Sequence, residues 1–385
     1  MQPSEIIKFE MSNIREGWNV QASDIARRTH NPIRSIVESL VVEPNPAKKL
    51  IALSIGDPTT FGNLKLPKEV LEAVQDSLTT QLYNGYAPST GYQVARQAVA
   101  EYSSNESVQV DPKPENGWEI DLDDLESQID ESTAAIIINN PSNPCGSVFT
   151  KDHIVEVLDL AARFYVPIIA DEIYEHMVFP GQTFHSLASL SRDVPVLSCS
   201  GLTKRFLVPG WRMGWIIIHD RRNVLEKEIR KALQCLSQRI IGSNTLIQGA
   251  LPAILKNTPQ AFFDDVMTTL HNHSLLAFDC IMKIPGLKPI MPDGAMYMMV
   301  YLDLACFPEF NSDLEFVQRL LMEESVFCLP GQCFDYPSYM RLVITVPVDM
   351  IKEACQRIEE FCERHHYKTA EHMRRDSLIA PEIPY

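Results

Sequence analysis

The chain has no long apolar run. Nowhere in its 385 residues does a hydrophobic stretch reach the ~18 residues that a membrane-crossing helix needs. Its nine cysteines form no Cys-x-x-Cys pair and keep no regular spacing, so neither a disulfide framework nor a zinc site is expected, and they read as reduced intracellular thiols. The ten histidines include no His-Glu-x-x-His run; His271 and His273 stand on an expected helix and face different directions, so no metal is expected there. Positive charge is scarce. Thirty-four Lys and Arg stand against 50 Asp and Glu, a net charge of −16, which speaks against nucleic acid or an anionic membrane as partner. Gly-x-Ser-x-Gly, Gly-x-Gly-x-x-Gly and Walker A runs are missing, which leaves a hydrolase or nucleotide-binding reading without support. The opening MQPSEIIKFEMSN carries acidic residues and lacks the features of a signal or transit peptide, so the cytosol is the expected setting.

What the chain does have is 45% hydrophobic residues over a length that suits two domains. Alternating patterns predict helices over 67–80, 89–104, 150–164 and 221–239, with strands at 134–139, 167–171, 195–200 and 213–218, the order of a doubly wound α/β sheet. After residue 275 the texture changes to hairpin-type strands around DGAMYMMV and YMRLVITVP, closed by an amphipathic helix at 349–364. The polar, proline-containing tail from 366 to 385 reads as disordered.

The most informative run is VPVLSCSGLTKRFLVPGWRMGW. Lys204 lies just past an apolar strand, where open α/β sheets bind ligands. A lysine there can trap a carbonyl as a Schiff base if burial or a neighbouring cation destabilises its ammonium, and Arg212 offers both a cation and a planar fork for phosphate. Pyridoxal phosphate is a cofactor that needs both. The run alone equally suits a strand, a loop and a solvated lysine. Two upstream strands sharpen the reading. One ends in NNPSNPCG, carrying Asn143; the other, VPIIADEIYEHMVF, ends on Asp171 with Tyr174 three residues later. Asp171 could keep a pyridine nitrogen protonated, and Asn143 and Tyr174 could donate to a phenolate oxygen. Taken singly, each has a plain alternative: Asn143 in a turn, Asp171 as a helix cap, Tyr174 in the core. Cys145 sits in the same turn and is the thiol to watch for reactivity, although a passive turn position suits it as well.

Together, Asn143, Asp171, Lys204 and Arg212 follow one another at separations of 28, 33 and 8 residues. With NPIRSIVESL, LSIGDPTTFGNL, YNGYAPSTGY, ADEIY and YMRLVITVP, the chain resembles the class I aminotransferases, a family of fold-type I pyridoxal phosphate enzymes, over roughly residues 18–365. The resemblance implies a large domain (56–275) in three α/β/α layers and a smaller α+β domain built from 18–55 and 276–365. It implies transamination between an amino acid, L-tyrosine foremost, and 2-oxoglutarate; members acting on alanine or on aromatic amino acids broadly remain an alternative. Arg341 is then the residue that holds the substrate α-carboxylate, with Gly56 and Asn143 beside it. Lys204, Asp171 and Tyr174 are the catalytic set. Asn143, Ser200, Arg212 and Tyr86 complete the cofactor contacts, Tyr86 by reaching across a homodimer.

One stretch departs from the family. Thirteen residues, Asn105–Gly117, join the helix ending near Ser104 to Trp118, where the family has several times that length. The segment lacking would hold the Gly/Ser turn whose helix N-terminus binds the cofactor phosphate, and the aromatic that stacks on its ring. It would also hold the first three strands of a seven-stranded sheet, all at the sheet's edges. The expected consequence is a truncated sheet with four contiguous strands and newly exposed edges. A shortened non-catalytic form and an incomplete gene model of an active enzyme are both compatible with this.

Overall fold

The structure is a computed structural model, and it describes residues 21–39, 42–104 and 118–367. The linker at 105–117, residues 18–20 and the tail beyond 367 lie outside the described residues. Residues 1–41 form one unit and 42–385 another. In the first, α1 (Asp24–Arg28) is capped by the Ser23 hydroxyl, which accepts from Ala26 N, and α2 (Pro32–Ser39) follows.

The second unit opens with β1 (Ile51–Ala52), α3 (Lys68–Thr80), α4 (Gln93–Ser104) and α5 (Leu122–Gln128). Next come β2 (Ile136–Asn139), α6 (Lys151–Phe164), β3 (Ile168–Asp171), α7 (Leu187–Leu190), β4 (Val196–Gly201) and β5 (Gly214–His219). Three helices follow: α8 (Ile229–Gln238), α9 (Thr245–Asn257) and α10 (Gln260–Ile281). The C-terminal part contains β6 (Leu287–Pro289), β7 (Tyr297–Leu302), α11 (Asp313–Glu324), β8 (Val326–Phe327), β9 (Leu329–Pro330), β10 (Tyr339–Val343) and α12 (Val348–His365).

Two sequence expectations are corrected. The helix expected from 89 begins at Gln93, because Gly91 takes a positive φ and its N–H closes a turn onto Pro88 O. The helix expected over 221–239 is only α8. Its first eight residues are instead tied down by Asp220, whose carboxylate accepts from Val224 N and Leu225 N.

β2, β3 and β4 run parallel, β5 is antiparallel to β4, and the order is β2-β3-β4-β5. The register sets Asn139 beside Asp171 and Asp171 beside Cys199, so three strand carboxyl ends share one edge. A second sheet, β6-β7-β10-β9, is antiparallel, and a short parallel pair joins β1 to β8. That pair stitches residues 51–52 to the C-terminal part of the chain.

The two faces of the first sheet differ sharply. On one, Ile136, Ile168 and Val196 form a buried row, with Ile138, Ala170 and Ser198 the next; these bury against Ile154, Val157, Leu158 and Ala161 of α6 and Leu187 of α7. The other face carries Ile137, Ile169, Leu197 and Ile218 in one row and Asn139, Asp171, Cys199 and Ile216 in the next, and not one of these side chains is buried. Ile137 is 72% exposed and Ile216 50%. Period-two alternation explains how one strand serves both faces. An apolar face left open to this degree is what a sheet shows when its covering layer is lacking. Helix α8 repeats the pattern: Ile229 and Leu236 are exposed and it buries no residue.

Replacing Ile137 and Ile216 together by threonine keeps β-branching while removing apolar surface. Binding of a hydrophobic dye should fall by about half, because these two are the most exposed side chains of the face. The melting temperature should stay within about 2 °C, as is usual for surface changes. Dye titration and thermal unfolding of parent and double variant measure both; unchanged dye binding would mean the face is covered in solution.

Candidate active site

Four elements converge at the carboxyl edge of the first sheet. Beyond β4, the loop returns Lys204 so that its Nζ donates to Gly56 O at 2.7 Å, with the Tyr174 ring centroid 5.7 Å away. Gly56 must lack a side chain: a Cβ there would lie 2.3 Å from the Tyr297 hydroxyl. Tyr174, buried at the turn after β3, shares a hydrogen bond with that same hydroxyl at 2.8 Å. Burial, then the Tyr297 neighbour, hold the Tyr174 phenol well above its ordinary value, with Arg341 acting the other way.

Arg341 stands in the middle of β10 and is only 3% exposed. Its Nη1 donates to Asn143 Oδ1 and its Nη2 to Ser54 O, both at 2.7 Å. Its guanidinium carbon lies 4.3 Å from the Tyr297 ring centroid and 5.0 Å from that of Phe334. Nε is buried with no partner. Among the described residues no ion pair involves Arg341, and burial pulls its pKa downward. A buried cation with an idle N–H and no counter-charge is costly, and a ligand carboxylate satisfies both needs.

A hydrogen-bonded path ties this clamp to β3. Asn143 N donates to Asn139 Oδ1 at 2.6 Å, and Asn139 Nδ2 donates to Asp171 O at 3.0 Å. The Asp171 carboxylate accepts one long bond, 3.4 Å from Ile173 N. Among the described residues no hydrogen bond is made to its second oxygen.

Lys204, Gly56, Tyr174, Asn143, Asp171 and Arg341 are thus brought into one connected group. Three other expected residues are not. Ser200 lies on the opposite side of β4 from Cys199 and donates to Glu175 Oε1 at 2.9 Å. A buried carboxylate thus holds the Ser200 hydroxyl. Arg212 is exposed, in the left-handed region at φ 52, and donates to Pro209 O at 2.9 Å. Tyr86 is 87% exposed. Cys145 is buried with its Sγ 3.3 Å from Ser147 Oγ. His273 contacts Ile344 O while His271 lies against Phe179, and no metal-ligating cluster exists among the described residues. Sequence reading missed Tyr297, Asn139 and Ser54. Tyr297 lies inside DGAMYMMV, where its burial in a strand gives no hint of a polar task.

The sequence profile of the family "Aminotransferase class I and II" matches residues 48–114 and 106–358, two pieces that meet inside the thirteen-residue linker. The chain is 47% identical to mouse tyrosine aminotransferase over 403 aligned positions, covering 91% of this chain and 89% of the mouse protein. Since 91% of 385 residues is about 350, roughly 50 of those 403 positions have no counterpart here. Tyrosine aminotransferase of Dictyostelium discoideum is 39% identical, covering 91% of this chain and 98% of its own. Among solved structures, tyrosine aminotransferase from Leishmania infantum superimposes with a TM-score of 0.84 at 30% identity, over 91% of this chain and all of the other.

Burial holds the Asp171 carboxyl above the ordinary aspartate value of 3.8. The folded chain therefore binds this proton more tightly than the unfolded one, and stability falls as pH rises from 3.8 through the raised value. Asp171→Asn in the ligand-free chain should raise the melting temperature near neutral pH by about 1–3 °C. The gain should vanish as pH falls to 3.8. Melting curves of both proteins across pH measure this; a gap that ignores pH would mean the carboxyl charge is not its source.

Proposed function

The chain belongs to the class I and II aminotransferase family, and from that membership we propose that its reaction is the transfer of the amino group of L-tyrosine to 2-oxoglutarate, with pyridoxal phosphate as cofactor. The observation that carries the reading is Arg341: a buried guanidinium with an unpartnered Nε–H and no counter-ion, in one bonded group with Asn143 and beside Lys204, Tyr174 and Asp171. An α-carboxylate is common to every amino-acid and oxo-acid substrate, so one such clamp serves both halves of a transamination. The choice of tyrosine rests on likeness to the mouse and Dictyostelium enzymes.

The residues present fit the ring end of the cofactor. Lys204 would hold its aldehyde carbon, Asp171 its ring nitrogen, and Tyr174 and Asn143 its ring oxygen. When bound there, pyridoxal phosphate supplies an electrophilic carbon and a protonated ring that draws electrons from the substrate α-carbon. Lys204 Nζ, fixed by Gly56 O, is the base that takes the proton from that α-carbon. Asp171 keeps the ring nitrogen protonated, and the ring's charge offsets the penalty that burial places on the carboxylate. Arg341 binds and orients the substrate carboxylate, and Asn143 keeps the guanidinium from turning away. The reading carries with it a homodimer in which Tyr86, turned outward here, meets the partner's site, and a cytosolic setting.

The phosphate end is another matter. Of the described residues expected there, Ser200 is held by Glu175 and Arg212 bonds to Pro209 O, and the family profile breaks inside the linker where the resemblance puts a phosphate-binding helix N-terminus. Two or three lost charge-assisted hydrogen bonds at about 1.5–3 kcal/mol each weaken cofactor binding by roughly a hundred-fold or more.

The purified 385-residue chain should therefore lack a strong visible absorption band and show negligible tyrosine transamination, while a chain with the relatives' segment inserted after Ser104 should gain both. Full cofactor occupancy and near-normal turnover in the short chain would overturn the argument about the phosphate end. In the restored chain, Lys204→Ala should abolish turnover, and borohydride followed by peptide mapping should label Lys204 in the parent. Arg341→Lys loses the planar fork and should lower kcat/KM about a hundred-fold for tyrosine and glutamate alike; loss for one substrate only would count against a shared clamp.

A further inference from the structure

Tyr297 has no part in the roles above, yet Arg341, Tyr174 and Gly56 all meet it. It opens β7, is 2% exposed, and is among the largest fully buried side chains. Strand register delivers it. β7 pairs antiparallel with β10 so that Tyr297 stands opposite Val343, which makes Arg341 its diagonal neighbour on the same face. The guanidinium lies over the phenol ring at 4.3 Å, within cation–π range. At the other end of the ring, the hydroxyl sits 2.8 Å from the Tyr174 hydroxyl and occupies the space a Gly56 Cβ would need. The two rings are 5.7 Å apart and nearly perpendicular, and their hydroxyls are hydrogen-bonded to each other.

Two phenols at that distance share one proton. If Tyr174 is to donate its own O–H to a ligand oxygen, the proton between the two must come from Tyr297. We propose that Tyr297 is a positioning residue that couples the two halves of the site: its hydroxyl donates to Tyr174 and so aims the Tyr174 proton at the ligand, while its ring face seats the Arg341 guanidinium for the substrate carboxylate. The inference rests on the reading of the site given above, and it assigns the two tasks to separable parts of one side chain. A chain of two hydroxyls is also a stronger donor than one, because each bond polarises the next.

Two substitutions separate the parts. Tyr297→Phe keeps the ring and removes the hydroxyl; Tyr297→Leu removes both. The carboxylate arm uses phenylpropionate, which has no amino group to react, bound calorimetrically to the full-length chain without cofactor. Tyr297→Phe should keep its affinity within about two-fold of the parent, and Tyr297→Leu should lose about ten-fold or more. Equal losses in both variants, or none in either, would overturn the seating role, and near-ultraviolet circular dichroism confirms that each variant is folded before binding is read. The hydroxyl arm uses the segment-restored chain and measures the dissociation constant of pyridoxal phosphate. Tyr297→Phe should weaken it roughly three- to ten-fold, and should add nothing when Tyr174 is already phenylalanine. An additive effect in that background, or no effect in the parent, would refute the donor role. If the restored parent holds no cofactor, the reading of the site as a pyridoxal phosphate centre fails on its own terms, and the phenylpropionate arm still decides the seating role.

Discussion

The constraint on which the rest of this structure depends is a positive charge placed where water cannot reach it. Arg341 is surrounded by Asn143, Ser54, Tyr297 and Phe334, none of which carries a negative charge. Two neutral acceptors and two aromatic faces soften its desolvation without cancelling it. Fixing those neighbours fixes much else. Asn143 is held by Asn139 and Asn139 by the backbone of Asp171, so the clamp is bonded to the strand whose carboxylate ends the first sheet. Ser54 follows β1, whose pairing with β8 anchors the N-terminal stretch that also places Gly56. The site is therefore organised from the substrate side outward, by groups that must satisfy one another in the absence of any ligand.

Much of this was legible in the sequence, and the reason is geometric. Parallel strands ending on Asn139, Asp171 and Gly201 bring their following turns to one edge whatever lies between them, so residues read at strand ends had to converge. Asp171, Lys204 and Asn143 obey that rule; Arg341, in the middle of antiparallel β10, does not, and it was legible only through the family resemblance. What sequence could not give was direction within a strand. Ser200 is one residue from Cys199, which shares a row with Asp171, and alternation sends it to Glu175 instead. Nor could it give Tyr297, because an aromatic in MYMMV is indistinguishable from core until the antiparallel register with β10 is known. The extent of α8 was misread for a different reason: Asp220 competes for the backbone amides that a helix would need.

The open sheet face shows how a fold tolerates loss of a layer. The four strands that remain are contiguous, and their inner rows are filled by α6 and α7. That cluster contains Ile154, Ile168, Leu187 and Val196 with almost no exposure, so one complete interface holds the sheet. Each fully buried aliphatic side chain contributes about 1.5–3 kcal/mol, which a single well-packed face accumulates quickly. The opposite rows contribute little to the buried core among the described residues. Ile137, Ile169, Leu197 and Ile218 in one register row would be a poor choice for a surface facing water.

These observations separate two kinds of damage. A segment removed from the centre of a network would have left Arg341, Asn143, Tyr174 and Lys204 without partners and the pocket collapsed. Here every one of them keeps a hydrogen bond to another member of the site or to its frame. Arg212, Tyr86 and the outer sheet rows, by contrast, are solvent-facing or turned elsewhere. On the function proposed above, the half that would recognise a carboxylate and move a proton is bonded together, and the half that would anchor a phosphate is not. In a transaminase those halves are physically distinct because the substrate comes and goes while the cofactor stays. Carboxylate recognition draws on β7, β10 and the turn after β1, whereas phosphate anchoring draws on the sheet edge and its helices. A chain can consequently retain a nearly complete substrate clamp while its hold on the reagent that the clamp serves is weakened.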